Sequence, residues 1–145
     1  MSVPSIETKI RQAIAARVAT IPLTDYDVVW TDGPLPEGQQ TYTPDPTKKY
    51  LRVTWTPNDT QRVFIGSKDP HRRPGVLQID VFGTKAHPTA LFIEAAGQVA
   101  EHFRADLVME FQGVHVRVMK APGVLAPFVD VHVQVPTIIQ VEAYA

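Results

Sequence analysis

The sequence contains no cysteine, and this absence excludes several kinds of chemistry at once. Without thiols the chain cannot form disulfides, bind zinc through thiolates or use a cysteine nucleophile. Serine is scarce as well, and none of its occurrences has the flanking glycines of a nucleophile elbow. The serines are Ser2, Ser5 and Ser67. A serine triad is therefore not expected.

Long apolar runs and an excess of one charge are also missing. No apolar run approaches the roughly 20 residues that span a bilayer, and the residues after Met1 lack the apolar stretch of a signal peptide. The 14 basic residues nearly balance the 15 acidic ones, so no concentrated positive field favours nucleic acid. The sequence predicts no membrane partner, no specific nucleic-acid binding and the cytoplasm of the producing cell as its location.

Metal-binding and acid–base patterns are weak. The glycines form no phosphate-binding loop, and no two histidines have the spacing of four that a helical metal site needs. The histidines are His71, His87, His102, His115 and His132. His115 and His132 could face each other on paired strands, but alternation places both among outward-facing residues. Asp80 and Asp130 could mimic an acid–base pair, although alternation favours the solvent face for each. No cofactor or metal is therefore expected.

The composition is that of an ordinary globular domain. With 145 residues, of which 44% are hydrophobic, the chain is expected to form one domain over residues 1–145 around one core. The 13 prolines lie mainly between apolar segments, where they stiffen loops. Residues 31–49 are rich in proline and glycine and are predicted to be irregular and mobile.

Apolar periodicity predicts two helices. The first runs from Ile6 to Ile21, with Ser5 as its N-cap and Pro22 limiting its far end. The second follows Pro88, with apolar residues recurring at helical spacing from Leu91 to Phe103.

Period-two alternation predicts the strands. They are expected at residues 28–30, from Tyr50 through Trp55, at 62–65, 76–82, 107–111, 114–119, 129–135 and 138–144. Gln112-Gly113 indicates a two-residue hairpin turn, and Pro136 predicts an edge strand or a bulge. The fold class is therefore α+β, an antiparallel-dominated sheet with both helices packed on one face.

One charged segment, residues 66–75, is a candidate for partner recognition. It combines Lys68, Asp69, His71, Arg72 and Arg73 with two prolines and two glycines. A stiff basic loop suits an acidic partner surface, whereas a solvated turn is the simpler interpretation. On either interpretation, replacing Arg72 and Arg73 in an exposed loop is expected to leave the fold intact.

Several motifs resemble a phage and prophage family of tail-terminator-like proteins. They are Tyr50-Leu51-Arg52-Val53, Ile65-Gly66-Ser67, Asp69-Pro70-His71-Arg72-Arg73, Gly75-Val76-Leu77-Gln78-Ile79-Asp80-Val81-Phe82, Glu94-Ala95-Ala96, Lys120-Ala121-Pro122 and Gln134-Val135-Pro136. The similarity runs from the first helix to the last strand, and the Asp-Pro-His-Arg-Arg stretch is its most specific part.

The resemblance implies a non-enzymatic assembly protein. Such proteins form a sixfold ring on the finished tail tube, stop its polymerisation and meet the head, so the expected partners are further copies, the tail tube protein and head–tail connector proteins. The expected location is the virion tail, with the host cytoplasm during assembly. Two alternatives stay open: a head-closure or neck protein at the connector, and a small hydrolase or metal-binding enzyme that uses His115, His132 or Asp80.

Overall fold

The computed structural model of the protein describes residues 4–31, 49–130 and 132–145. The amino-terminal helix, α1, spans Ile6–Val18 and is capped as predicted, because the Ser5 hydroxyl accepts a hydrogen bond from the Thr8 amide at 3.3 Å. The helix ends earlier than its apolar stripe, and Ile21 is buried from the turn that follows. The predicted irregular segment at residues 31–49 lies almost entirely outside the described residues.

The described strands form one mixed sheet. Their bounds are β1 Asp27–Trp30, β2 Tyr50–Pro57, β3 Arg72–Thr84, β4 Val108–Phe111, β5 Val114–Val118, β6 Gly123–Val124, β7 Phe128–Val129 and β8 His132–Tyr144. The order is β1-β2-β3-β8-β5-β4, and β6 and β7 pair with β8. Only the pairing of β1 with β2 is parallel among the described pairs, so the α+β prediction is confirmed.

Both helices contribute to one core on one face of this sheet. The second helix, α2, spans Thr89–His102. It lies directly on β3, because a Cβ atom at Gly83 would come within 2.1 Å of the Phe92 ring. The carboxyl ends of the helices are joined by Arg17, whose guanidinium donates to the His102 carbonyl at 2.7 Å. Apolar residues of β2, β3, β4, β5 and β8 supply the sheet side of this core. Neither described helix is long and apolar enough to cross a membrane.

The β4–β5 hairpin has the predicted turn. Gln112 has a φ of 48° and Gly113 a φ of 84°, and two positive φ values at the central positions suit the right-handed twist of the flanking strands.

The predicted strand at residues 62–65 is wrong. After a single bridge between Gln61 and Arg72, this stretch is irregular. Its side chains are consecutive and apolar rather than alternating, so a strand here would leave large apolar groups on both faces. The next strand, β3, begins at Arg72 and so includes residues predicted as loop.

The last strand also differs from its prediction. Val129 ends β7, which forms a hairpin with β8, and Asp130 lies in the turn. Pro136 lies inside β8, opposite Asp80 of β3, and not at an edge. The Pro136 carbonyl accepts a hydrogen bond from the Leu125 amide at 2.9 Å. The nitrogen of Pro136 faces the same side of β8, away from β3. On that side Pro136 lies between the residues that pair with β6 and those that pair with β7, so no sheet hydrogen bond requires an N–H there.

Candidate interaction surface

The charged segment predicted as a loop is divided by the start of β3. Arg72 donates from Nε to Oε2 of Glu142 at 2.7 Å and from Nη1 to Oε1 of Gln61 at 2.9 Å. Arg73 donates to Oε1 of Glu7 at 2.8 Å and to the Ala145 carbonyl at 3.2 Å. The structure thus places both arginines in contacts within the chain, where they fasten the start of β3 to β8 and α1.

Glu142 is the centre of the first of these contacts. Its side chain is only 6% exposed, and its Oε1 accepts a second hydrogen bond from Nη2 of Arg117 at 2.6 Å. The hydrogen bond from Arg117 lowers the pKa of Glu142, burial opposes that shift, and Arg72 lowers the pKa further. Because two guanidinium groups satisfy this carboxylate, it is a structural ion cluster.

The other three residues of the charged segment lie in the loop between β2 and β3. Lys68 and Asp69 are exposed, and His71 is half-buried. The His71 amide donates to the Ala145 carbonyl at 3.0 Å, and the Ala145 amide donates back at 3.1 Å. Asp69 closes a turn, since its Oδ2 accepts from the Gly66 amide at 2.9 Å. Lys68 and Asp69 are therefore the members of the set that the structure presents to solvent.

The same loop presents an apolar tip that sequence reasoning missed. We use the term apolar tip for Val63, Phe64 and Ile65, which are 45%, 51% and 95% exposed. The Arg62 guanidinium donates to the carbonyls of Phe64, at 3.3 Å, and Ile65. An uninterrupted run of three large apolar residues between turn residues was the available signal, because a half-buried strand would alternate.

A second apolar surface lies beside the other end of β8. Four residues of β6, β7 and the link between them are exposed by 38% to 63%. We call this set the edge patch: Val124, Leu125, Phe128 and Val129. Both strands pair with β8 on one side, at residues 133–138, and α2 lies near β6. Large apolar groups that remain exposed in adjacent positions are typical of an interaction surface.

The candidate catalytic carboxylates are not brought together. Asp80 is fully buried, contrary to the solvent position predicted for it. It accepts from Nη2 of Arg52 at 3.0 Å and from Nε2 of Gln78 at 2.8 Å, and these two partners compensate for the burial of its charge. Asp130 is exposed in the β7–β8 turn. The structure thus gives Asp80 a structural ion pair.

The two strand histidines are also separated. Although β5 does pair with β8, it does so at residues 141–143. His115 therefore lies near the carboxyl end of β8, whereas His132 begins that strand. The Nε2 atom of His115 is 3.5 Å from Oε2 of Glu110. Within the described ranges, no group of three or more His, Asp or Glu side chains could hold a metal ion.

A shallow groove of about 650 Å³ lies between the first turn of α1 and the end of β2. It is lined by Glu7, Thr8, Arg11, Trp55, Pro57, Asn58, Asp59 and Thr60. Glu7 is engaged by Arg73, and Arg11 lies 4.1 Å from the centroid of the Trp30 ring. Glu7 and Arg11 thus hold α1 to the sheet through these contacts.

Known proteins resemble this chain in sequence and in fold. A family model described as phage tail terminator protein matches residues 9–140. One solved structure, whose title states no function, superposes with a TM-score of 0.73 and 23% sequence identity, over 97% of this chain and 96% of its own. At that identity the likeness shows the fold alone. A search of curated proteins returned no match.

Proposed function

The chain belongs to the phage tail terminator protein family, and from this membership we propose that it ends growth of a phage tail tube. In this proposal several copies form a ring on the finished tube, stop its polymerisation and provide the surface that joins the tail to the head. The observation that carries the proposal is the family match over residues 9–140.

The proposed role is structural, and its partners are proteins. The family membership implies a component of the virion tail. We propose that one domain comprising residues 1–145 assembles in the host cytoplasm with further copies as a ring of six, with the tail tube protein and with head–tail connector proteins. The exposed side chains of the apolar tip and of the edge patch are of the apolar kind that protein–protein contacts bury.

Complementation of tails that lack a terminator tests the proposal. Purified protein is added to tubes from the phage or prophage that encodes it, and tube lengths and infectious titre are measured. We expect tubes of uniform length and restored titre, while a buffer control leaves tubes of irregular length. If the protein instead binds capsid portals and leaves tube ends uncapped, it is a head-closure protein and the proposal is wrong.

A further inference from the structure

We propose that the apolar tip of one copy docks on the edge patch of the next copy. The proposal rests on the proposed function, because it assigns the contact between neighbouring subunits of the ring to particular residues. The partner of each surface is thus a second copy of this chain.

The apolar tip is held in shape before any partner arrives. Arg62 donates to two carbonyls of the tip, and Asp69 closes the adjoining turn through the amide of Gly66. A Cβ atom at Gly66 would lie 2.6 Å from Oδ2 of Asp69, so a larger residue there would require this carboxylate to shift. A loop ordered in advance loses less conformational entropy on binding. The exposure of Ile65 is therefore built into the loop.

The edge patch is suited to receive such a tip. Its strands β6 and β7 are two residues each, and short edge strands limit strand addition by another chain. Side chains rather than a backbone ladder are then the contact that the patch offers. Phe128, at 63% exposure, is the largest of its apolar side chains. An aromatic group of this kind is typical of the anchors that dominate interface energies.

The positions of the two surfaces favour a second copy as the occupant. Phe128 pairs with Gln134, whereas the loop that carries the tip joins the sheet beside Tyr144. These two positions of β8 are about 33 Å apart at the usual rise per residue of a strand. One copy therefore cannot cover its own patch with its own tip. Two different surfaces that meet head to tail generate a ring when the rotation closes.

One pair of opposite charges is available where the two surfaces would meet. Lys68 and Asp69 are exposed beside the tip, and Asp130 is exposed directly after the patch, so Lys68 and Asp130 can form a pair of opposite charge. In a head-to-tail contact the ammonium of one copy and the carboxylate of the next lie at the rim, where opposite charges favour the correct partner.

Disulfide trapping tests the contact, and the absence of native cysteine makes it specific. Ile65→Cys protein is mixed with a mass-tagged Phe128→Cys protein, both free at high concentration and on tail tubes, under mild oxidation. The matched control replaces Phe128→Cys by Val108→Cys, on β4, where the exposure is 53%. We expect the Ile65–Phe128 heterodimer to form about tenfold faster than the control, because an ordered contact raises the effective concentration of the thiols.

The outcomes separate this proposal from the proposed function. Equal rates for the two mixtures, both free and on capped tubes, would overturn the head-to-tail contact even if the protein caps tubes. A predominance of Ile65–Ile65 dimers would also overturn it, since that contact is tip to tip. Fast Ile65–Phe128 trapping in a protein that never caps tubes would instead support the contact and reject the tail-terminator function.

Discussion

At the scale of the residue, Arg72 shows how the structure reverses an expectation based on an exposed loop. Its guanidinium lies 2.7 Å from a carboxylate that is nearly buried. We predict that Arg72→Glu lowers the free energy of unfolding by about 2 to 4 kcal/mol, because it leaves two carboxylates facing each other. Urea unfolding monitored by circular dichroism measures the change.

Lys68→Glu is the matched control for this charge reversal. Lys68 is exposed in the adjoining loop, so its replacement should change stability by about 0.5 kcal/mol or less. If Arg72→Glu is as mild as Lys68→Glu, the Arg72–Glu142 contact does not hold the end of the sheet.

The same cluster predicts a dependence of stability on pH. The pKa of Glu142 is held below its ordinary value of 4.5, first by the hydrogen bond from Arg117. The ionised Glu142 carboxylate therefore contributes fully to the free energy of unfolding above the unfolded-state pKa. This contribution is lost as pH falls through the lower folded-state pKa. We expect Glu142→Gln to cost about 2 kcal/mol at pH 7 and progressively less below pH 4.5. Unfolding in urea at pH 7 and pH 3 measures this difference.

Glu101→Gln, at an exposed position of α2, controls for the loss of an acidic group. Its effect should be small at both pH values. A penalty for Glu142→Gln that stays constant or grows in acid would show that the ionised form of this carboxylate is not the stabilising one.

Residue identities predicted these contacts poorly for a physical reason. Arg72 and Glu142 are 70 positions apart in the chain, and local spacing carries no information about such a pair. Alternation did identify the sheet face of Asp80, opposite the helices. It did not show that Arg52 and Gln78 on the same face would enclose the carboxylate.

At the scale of the element, strong periodicity was sufficient. Both helices, the β4–β5 hairpin and its turn follow from apolar spacing and from Gln112-Gly113. The prediction failed where several apolar residues are adjacent, at residues 62–65, and where a proline lies in a strand. Pro136 is tolerated inside β8 because it lies between the segments that pair with β6 and with β7. The alternation of a single sequence contains no information about this pairing.

The packing of α2 on β3 yields a prediction with an internal control. A methyl group at Gly83 would meet the Phe92 ring at 2.1 Å, whereas one at Gly97 would have nothing within 4 Å. Gly83→Ala should therefore destabilise the fold by about 1 to 3 kcal/mol through overpacking. Gly97→Ala, inside α2, should stabilise it by about 0.5 to 1 kcal/mol. Thermal or urea unfolding of the two variants compares them, and equal effects would contradict the close contact of α2 with β3.

At the scale of the whole molecule, fold class and family could be predicted from the sequence, because they depend on patterns that extend along most of the chain. The family match over residues 9–140 confirms the resemblance. The proposed interaction surface was harder to predict. The predicted charged residues lie in or beside the loop that carries the apolar tip, but two of the five belong to β3, and the most exposed apolar side chain nearby is Ile65. Exposure is a property of the folded chain, so periodicity could not identify the tip.

The salt dependence of trapping distinguishes a contact carried by charge from one carried by the apolar tip. If charge carries the contact between copies, raising NaCl from 0.1 to 1 M should abolish it, because the Debye length falls from about 10 Å to about 3 Å. If the apolar tip carries it, Ile65–Phe128 trapping should stay within about fivefold over that range, since only a rim pair worth up to about 1 kcal/mol is screened. Ammonium sulfate should increase trapping, because excluded salts strengthen apolar burial.

Two substitutions made in the Ile65→Cys protein separate the same alternatives. Phe64→Ser should slow trapping by about tenfold or more, because it removes an apolar side chain worth about 1.5 to 3 kcal/mol when buried. Lys68→Glu should slow it by less than about fivefold, as expected of an exposed ion pair. The rates are compared in the same salt and at the same protein concentration. If Lys68→Glu has the larger effect and trapping disappears at 1 M NaCl, the loop acts through its charges, and the apolar tip does not carry the contact.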